Sequence, residues 1–383
     1  MTSGTAIAAV ILAAGQSRRM ERFKPLLPLG ESCAVERVAQ TFLAAGIPEV
    51  IVVTGYRAQE ILHRLAPLAV RCVDNAAFRQ GMFSSVKAGI EALPTACKAF
   101  FVHPADIPLV RSHTIRRLVA AFEESAPTIL YPTFLDHRGH PALVSSSLAA
   151  AILNWQGEGG LRAFLQEHEA DSRELAVADE AILLDMDTPE DYRRVQALSI
   201  RGDLPSAAES SALMGSIQTL PAAVVAHCRS VAAIARRLAD ALDAAGVPVD
   251  RELAEAAALL HDIARTQPNH AWAGAQLLEV HGFARLAPLV ADHMDLEVDK
   301  ETPLDEAQIV FLADKLAAGD RRVDLEERFN RKIAKYGRDP EVAARIARRR
   351  DNARRVRAKV EAVTGRALKA IMEETGSYKE KPQ

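Results

Sequence analysis

The stretch Ala9–Lys24, AVILAAGQSRRMERFK, runs from apolar residues into Ala-Ala-Gly, opens into a polar loop with two adjacent arginines, and reaches a lysine before a second apolar patch. Residues 6–12 (AIAAVIL) read as a buried strand. Leu12, Ala13, Ala14 and Gly15 then stand at its carboxyl end, where open α/β sheets place their ligands. Small side chains there let a phosphate or base approach the backbone, while Ser17, Arg18, Arg19 and Lys24 supply donors and positive charge for phosphate oxygens. On its own the tripeptide also fits an ordinary tight turn with solvated arginines, so the rest of the chain decides.

Strand patterns recur at 49–54 (EVIVVT), 70–73, 99–103 (AFFVH), 128–131 and 181–184, separated by helical patterns at 33–45, 56–65, 83–93, 112–123 and 160–168. This alternation predicts a mostly parallel sheet covered on both faces. Residues 199–220, rich in small and polar residues and bounded by prolines, read as a linker with room for a short helix. Beyond it no strand pattern is convincing; helices are expected at 222–245, 250–263, 270–281, 284–294, 304–318, 322–335 and 339–373. The expected domains are 1–198, 221–335 and a helical extension, 336–383.

A chain of 383 residues suits two or three domains, and 49% hydrophobic with only 5% aromatic residues suits a helix-rich α/β protein. A net charge of −3 gives no global attraction to nucleic acid or anionic membrane. Cys33, Cys72, Cys97 and Cys228 form no CxxC pair, consistent with a reducing, cytoplasmic setting. No basic segment precedes the first apolar run, and no uncharged stretch reaches membrane-spanning length. The basic run 347–359 reads as the wet face of a helix whose dry stripe is Val342, Ile346, Ala353, Val356, Val360 and Val363, which argues against a nucleic acid partner.

The first half lacks GxxxxGK[ST] and GxGxxG, so neither a Walker loop nor a dinucleotide site is indicated. Instead LAAGQSRRM with FKPLLPLG, followed in order by NAAFRQGMFSSVKAG (75–89), HPADIPLV (103–110), RGHPALV (138–144) and DMDTPEDY (185–192), resembles the nucleotidyltransferases of the molybdopterin cytidylyl- and guanylyltransferase type, the MobA-like group. The resemblance covers about 195 residues and implies a Rossmann-like α/β fold. It implies that Asp106 and Asp187 hold Mg²⁺, with Asp185 as the alternative ligand, and that Arg19, Lys24 and Asp106 serve catalysis. Gly81, Ser84 and Ser85 would line the pocket, with Asn75 nearby, and Gly139 and His140 the acceptor side. Ala-Ala-Gly, GMFSSV and RGHP side with the cytidylyl branch, hence CTP; Glu21 departs from the commoner glycine. The implied partners are a nucleoside triphosphate, a phosphorylated small-molecule acceptor such as molybdopterin, and a molybdoenzyme or its maturation factor. A sugar phosphate acceptor would use the same constellation.

The helical half carries His227, His261-Asp262 and Asp314, one histidine upstream and one aspartate downstream of an adjacent pair, a spacing that lets a bundle gather N and O donors around a divalent ion. With its flanks AALLHDIAR and FLADKLAAGDRR, this region resembles the HD phosphohydrolase superfamily over about 221–330. The resemblance adds His270 and His293 as ligands of a second ion and Asp262 as catalytic; Arg265 and Lys315 are the expected phosphate contacts. Imidazole donors favour Mn, Fe, Co or Zn over Mg²⁺. A regulatory phosphate-binding module is the alternative to a hydrolase.

Overall fold

Along the chain, β1 (Ile7–Leu12) is followed by a short antiparallel ribbon, β2 (Pro28–Leu29) and β3 (Ser32–Cys33), then α1 (Ala34–Ala44), β4 (Glu49–Thr54), α2 (Ala58–Leu65), β5 (Arg71–Asp74), α3 (Met82–Glu91), β6 (Ala99–Pro104) and α4 (Ser112–Ser125). Next come β7 (Ile129–Phe134), β8 (His137–Arg138), β9 (Ala142–Ser145), α5 (Ala149–Asn154), α6 (Gly160–Glu167), β10 (Ser172–Ala176) and α7 (Pro189–Arg201). These coordinates are a computed structural model describing residues 7–17, 20, 22–299 and 301–373, divided into one unit ending at Gly202 and another beginning at Asp203. Arg18, Arg19 and Glu21 lie outside the described residues.

The first unit is a sheet of order β10-β7-β9-β6-β1-β4-β5, with β8 attached to β7. Pairing is parallel on both sides of β1, between β4 and β5, and between β7 and β10; β9 runs antiparallel between β6 and β7. β1 is apolar throughout because both its faces are covered. Ala8 and Val10 join Val86 and Ile90 of α3 in one core. On the opposite face, Phe101 of β6 packs against Phe42 of α1 with ring centroids 5.4 Å apart.

The strand expected at 181–184 needs correction here. Residues 181–184 are not a strand: Glu180–Leu183 form a 3-10 turn capped by Asp179, whose carboxylate accepts from Ala181 N, Arg111 N and Thr114 Oγ1. The strands that complete that side are β9 and β10, short segments whose apolar runs the motif RGHPALV and the polar SRELA disguised. Within 199–220, α7 reaches Arg201 and residues 204–206 are buried. Ser206 and Glu209 then form a capping box that starts α8 (Ala207–Ala212), which runs into a π turn with Leu213 and Met214 buried.

The second unit continues with α9 (Ala222–Ala244), α10 (Arg251–Leu260), α11 (His270–Val280), α12 (Ala287–Asp292) and α13 (Glu306–Lys315). A two-residue hairpin follows, β11 (Ala317–Ala318) with β12 (Arg321–Arg322), and then α14 (Leu325–Tyr336), α15 (Pro340–Thr364) and α16 (Leu368–Glu373). Every residue of α13 from Gln308 to Lys315 is buried, so it is the central helix, packed on α9, α10, α12 and α15. The single helix expected over 339–373 is broken at Gly365, whose φ of 65° is left-handed and closes α15. Ile346, Ala353, Val356 and Val360 face inward as expected, whereas Val363 is exposed.

No helix among the described residues is long and apolar enough to cross a membrane. Helix α3 sits on β1 and β4 only because position 89 has no side chain: a Cβ there would lie 2.2 Å from Val10 Cγ1 and 3.2 Å from Val53 Cγ2. Gly89→Ala is therefore expected to lose about 2 kcal/mol by overpacking, despite alanine's better helix propensity. Gly15→Ala, whose Cβ meets nothing within 4 Å, should stay within about 0.5 kcal/mol of the parent. Urea-unfolding midpoints of the two variants check this, and equal midpoints would contradict the packing account.

Candidate functional sites

In the first unit the loops leaving β1 and β6 are tied together at the carboxyl end of the sheet. Leu12 stands opposite Pro104, Ala105 N donates to Leu12 O at 3.0 Å, and Ala13 N donates to Val53 O at 2.9 Å. Asp106 is pinned from two directions. His103 Nε2–H donates to Ile107 O at 2.8 Å, closing the Pro104–Asp106 turn, and Met186 N donates to Asp106 O at 3.0 Å, which brings Asp187 alongside. His103 is fully buried, and burial pushes its pKa down to about 3, so it works as a neutral spacer.

Lys24 Nζ bridges the two carboxylates, 3.1 Å from Asp106 Oδ2 and 2.5 Å from Asp187 Oδ1. Lys24 N donates to Ser17 Oγ at 3.0 Å, fixing the lysine against the loop after β1. Burial lowers the Lys24 pKa, but the hydrogen bonds and charges of Asp187 and Asp106 outweigh it and hold the ammonium above its ordinary value. Asp185, partly desolvated and facing Asp187 and Asp106, has a raised pKa. Neither carboxylate serves a helix cap: Thr188 caps α7 through a capping box with Asp191. Two convergent carboxylates with a third nearby are the hard-oxygen set that suits Mg²⁺, provided Lys24 turns from the pair toward a phosphate.

A hollow of about 450 Å³ opens beside this cluster. It gathers Leu12, Ala13, Ala14, Gly15, Ser17, Lys24, Gly81, Ser85, Asp106 and Asp187, together with Gln16 and Arg79, which the sequence reading passed over. Arg79 lies two residues before Gly81 in the quoted motif, which was its only signal. Asn75 and Ser84 stand behind the wall. Asn75 Nδ2 donates to Ser84 Oγ at 2.9 Å and Ser85 Oγ at 3.0 Å, and Asn75 Oδ1 accepts from Ala77 N at 3.0 Å, so this residue latches the 75–85 loop. Gly139 and His140 line a second hollow of about 630 Å³ that shares Leu12, Met82 and Pro104 with the first. Its rim carries Tyr131 under the Arg138 guanidinium, 4.6 Å from the ring centroid.

In the second unit α10 ends at Leu260, so His261 and Asp262 project from the turn after it. Asp262 Oδ1 lies 3.1 Å from His270 Nε2 and 3.5 Å from His293 Nε2, and Asp262 Oδ2 is 3.6 Å from His261 Nε2. Asp314 Oδ1 is 3.3 Å from His227 Nε2 and 3.9 Å from His261 Nε2. Two groups form, His227/His261/Asp262 and Asp262/His270/His293, which share Asp262.

The hydrogen bonds made by the other ring nitrogens test whether this set fits a metal. Nδ1 of His261, His293 and His227 faces the carbonyls of Ala258 at 2.7 Å, Val290 at 2.6 Å and Gly319 at 3.1 Å. A carbonyl only accepts, so Nδ1 carries a proton in each ring and Nε2 is the atom that faces the centre. His261 Nε2, His293 Nε2 and Asp262 Oδ1 are buried without a properly directed hydrogen bond. Burial, reinforced by His293, pushes the His261 pKa down to about 4, keeping it a neutral donor. Burial opposes ionisation of Asp262 and Asp314, yet surrounding histidines and cations hold both well below the carboxylate range. Orphaned imidazole and carboxylate atoms converging in a buried cluster fit a transition ion of the Mn, Fe, Co or Zn kind.

The two expected phosphate contacts differ. Arg265 is half exposed, 3.7 Å from Asp262 and donating to His270 Nε2 at 3.1 Å. Lys315 is instead 2% exposed, its ammonium donating to Asp314 Oδ2 at 2.7 Å and His293 O at 3.0 Å. It pairs with Asp314 and also borders the hollow beside the cluster. Cys228 is a buried thiol whose pKa burial pushes up to about 12, a packed apolar group.

Residues 9–172 match the family model of the MobA-like NTP transferase domain, and residues 224–319 that of the HD domain. The chain is 30% identical over 189 residues to a molybdenum cofactor cytidylyltransferase of Escherichia coli strain K12, covering 49% of this chain and 94% of that protein. It is 31% identical over 196 residues to a nicotine blue oxidoreductase of Paenarthrobacter nicotinovorans, covering 49% and 96%. A solved nucleotidyl transferase from Methanothermobacter thermautotroptrophicus is similar at 26% identity and a TM-score of 0.47, over 52% of this chain and 99% of that one.

Because Asp262 belongs to both groups of the second unit, Asp262→Ala should abolish transition-metal binding altogether. His270→Ala should remove only the ion of the second group. Elemental analysis of purified full-length protein distinguishes them; an Asp262→Ala protein with undiminished metal would refute the shared-ligand arrangement.

Proposed function

Because the chain belongs, through its first unit, to the MobA-like NTP transferase family and carries an HD domain in its second, we propose that it is a two-site enzyme. The first site transfers CMP from CTP to molybdopterin or a related phosphomonoester, and the second hydrolyses a phosphate compound. The observation that carries the transferase reading is the Lys24–Asp106–Asp187 cluster set against the small-residue loop Ala13–Gly15.

In the proposed reaction an acceptor phosphate oxygen attacks the α-phosphorus of CTP. A new P–O bond forms, the Pα–O–Pβ bond breaks, and pyrophosphate leaves. Asp106 and Asp187 would hold Mg²⁺, which would supply Lewis-acid neutralisation of the triphosphate. Lys24, released from the carboxylates, follows the charge onto the phosphate oxygens, and the Ala13–Gly15 backbone lets the phosphates approach. Ser17 sets the lysine, Gly81 and Ser85 border the nucleotide, and Gly139 and His140 border the acceptor in the adjoining hollow. Arg18 and Arg19 join as phosphate contacts.

In the second site His227, His261, Asp262, His270, His293 and Asp314 would hold the ions, which would supply a water of lowered pKa for phosphate hydrolysis. The inward-facing Nε2 atoms support this reading.

With Mg²⁺ and CTP, pyrophosphate release should depend on the acceptor and vanish in Asp106→Ala. Lys24→Met should lower turnover by about 10²–10³-fold, as for loss of one charge-stabilising donor. The same variant should bind Mn²⁺ more tightly in the absence of nucleotide, because the competing ammonium is gone. Pyrophosphate assays and calorimetry check these outcomes; a Lys24→Met enzyme with parental turnover defeats the assignment, and turnover with a sugar phosphate in place of molybdopterin defeats the acceptor.

A further inference from the structure

The hollow beside the His/Asp cluster has a volume of about 450 Å³ and is built from two sources. One wall is the cluster itself, with Arg265. The other comes from α14 and α15, which lie beyond residue 319, where the HD match ends. That second wall contributes Arg328, Arg331 and Lys332 from α14 and Arg349 from α15.

Most of these cations are already engaged. Arg328 donates to the Asp314 carbonyl and lies 3.3 Å from Asp314 Oδ1. Arg349 forks onto Asp295 at 2.6 and 2.5 Å, and Arg331 pairs with Glu327. Lys332 is different: it is partly buried and makes no hydrogen bond or ion pair among the described residues. Burial first, then the positive charges of Arg328, Lys315 and Arg349, push its pKa down to about 8, with Asp314 offsetting only part. A lysine held among like charges without a counter-ion is unfavourable unless an anion arrives. Metal binding would sharpen that demand, because the ions consume the negative charge of Asp262 and Asp314 that balances the cations now.

Spacing sets the size of the anion. Arg328 touches Asp314, and Lys332 lies four residues further along the same face of α14, a rise of about 6 Å. The His/Asp cluster and the cations of α14 and α15 line the same hollow of about 450 Å³, which has room and charge for two linked phosphates rather than one. We propose that this hollow takes a ligand bearing a diphosphate group, one phosphate at the His/Asp cluster and the second between Arg328, Lys332 and Arg349. The inference rests on the hydrolase reading of the same site and adds its substrate class, supplied by helices outside the HD match. The diphosphate comes either as inorganic pyrophosphate, the co-product of the proposed transfer, or as a nucleoside diphosphate.

The test is calorimetry on the full chain loaded with Mn²⁺, in an Asp106→Asn background that disables the first site. Orthophosphate, AMP, inorganic pyrophosphate and ADP are titrated, and metal content is measured in parallel. Both diphosphates, or one of them, should bind at least about tenfold tighter than the matching monophosphate. Preference for pyrophosphate over ADP, or the reverse, identifies the source. Lys332→Met should weaken the diphosphate by about tenfold or more and leave orthophosphate unchanged, while Lys332→Arg restores it. Metal bound, with mono- and diphosphates binding equally or with Lys332→Met weakening both alike, overturns this inference and leaves the hydrolase reading standing. A chain that binds no transition metal overturns both.

Discussion

A carboxylate withdrawn from water must be paired, and both sites of this protein are organised by that requirement. In the first unit Asp106 and Asp187 arrive from different loops and are bridged by the Lys24 ammonium. In the proposed transfer this pairing would be exchanged, the carboxylates holding a divalent cation and the lysine turning to the phosphates. In the second unit burial is deeper, and Asp262 and Asp314 stay ionised only because histidines, Lys315 and Arg328 surround them. Removing one partner from such a cluster strands a buried charge, which costs far more than the pair itself contributes.

Elements remote in sequence do the positioning. The turn after β6 is locked by His103, a residue held neutral by burial, and by the Met186 amide from a segment eighty residues on. The imidazoles of the second unit are aimed by carbonyls one turn back in their own helices, at Ala258 and Val290, or across in the 319 loop. In each case a backbone group selects which ring nitrogen faces the centre, so the chemistry is built into the secondary structure around it.

The helices after residue 319 give the basic C-terminal segment a second meaning. Many of its arginines are satisfied by acids, Arg354 by Glu326 and Arg357 by Glu361, as a solvated helical face requires. Arg349 and the neighbouring α14 cations instead border the second site. The same composition therefore serves both packing and recognition, and only the side facing the hollow separates the two.

The sequence by itself determined the elements and most of the donors. Apolar β1 with its small-residue exit, the alternation through α4, the helical second half, and the identities Lys24, Asp106, Asp187, His261, Asp262 and Asp314 were all legible, because period and side-chain chemistry are local properties. The antiparallel insertion of β9, the 3-10 turn at 180–183 and the packing of residues 203–217 were not, since each depends on partners that only the folded chain supplies. Tertiary structure alone also decided that Lys24 bridges the two aspartates, that Lys315 is buried against Asp314, and that Lys332 makes no ion pair among the described residues. Charges interact through space within a few ångströms, and that separation is set by how helices and strands pack, a quantity that no reading along the chain contains.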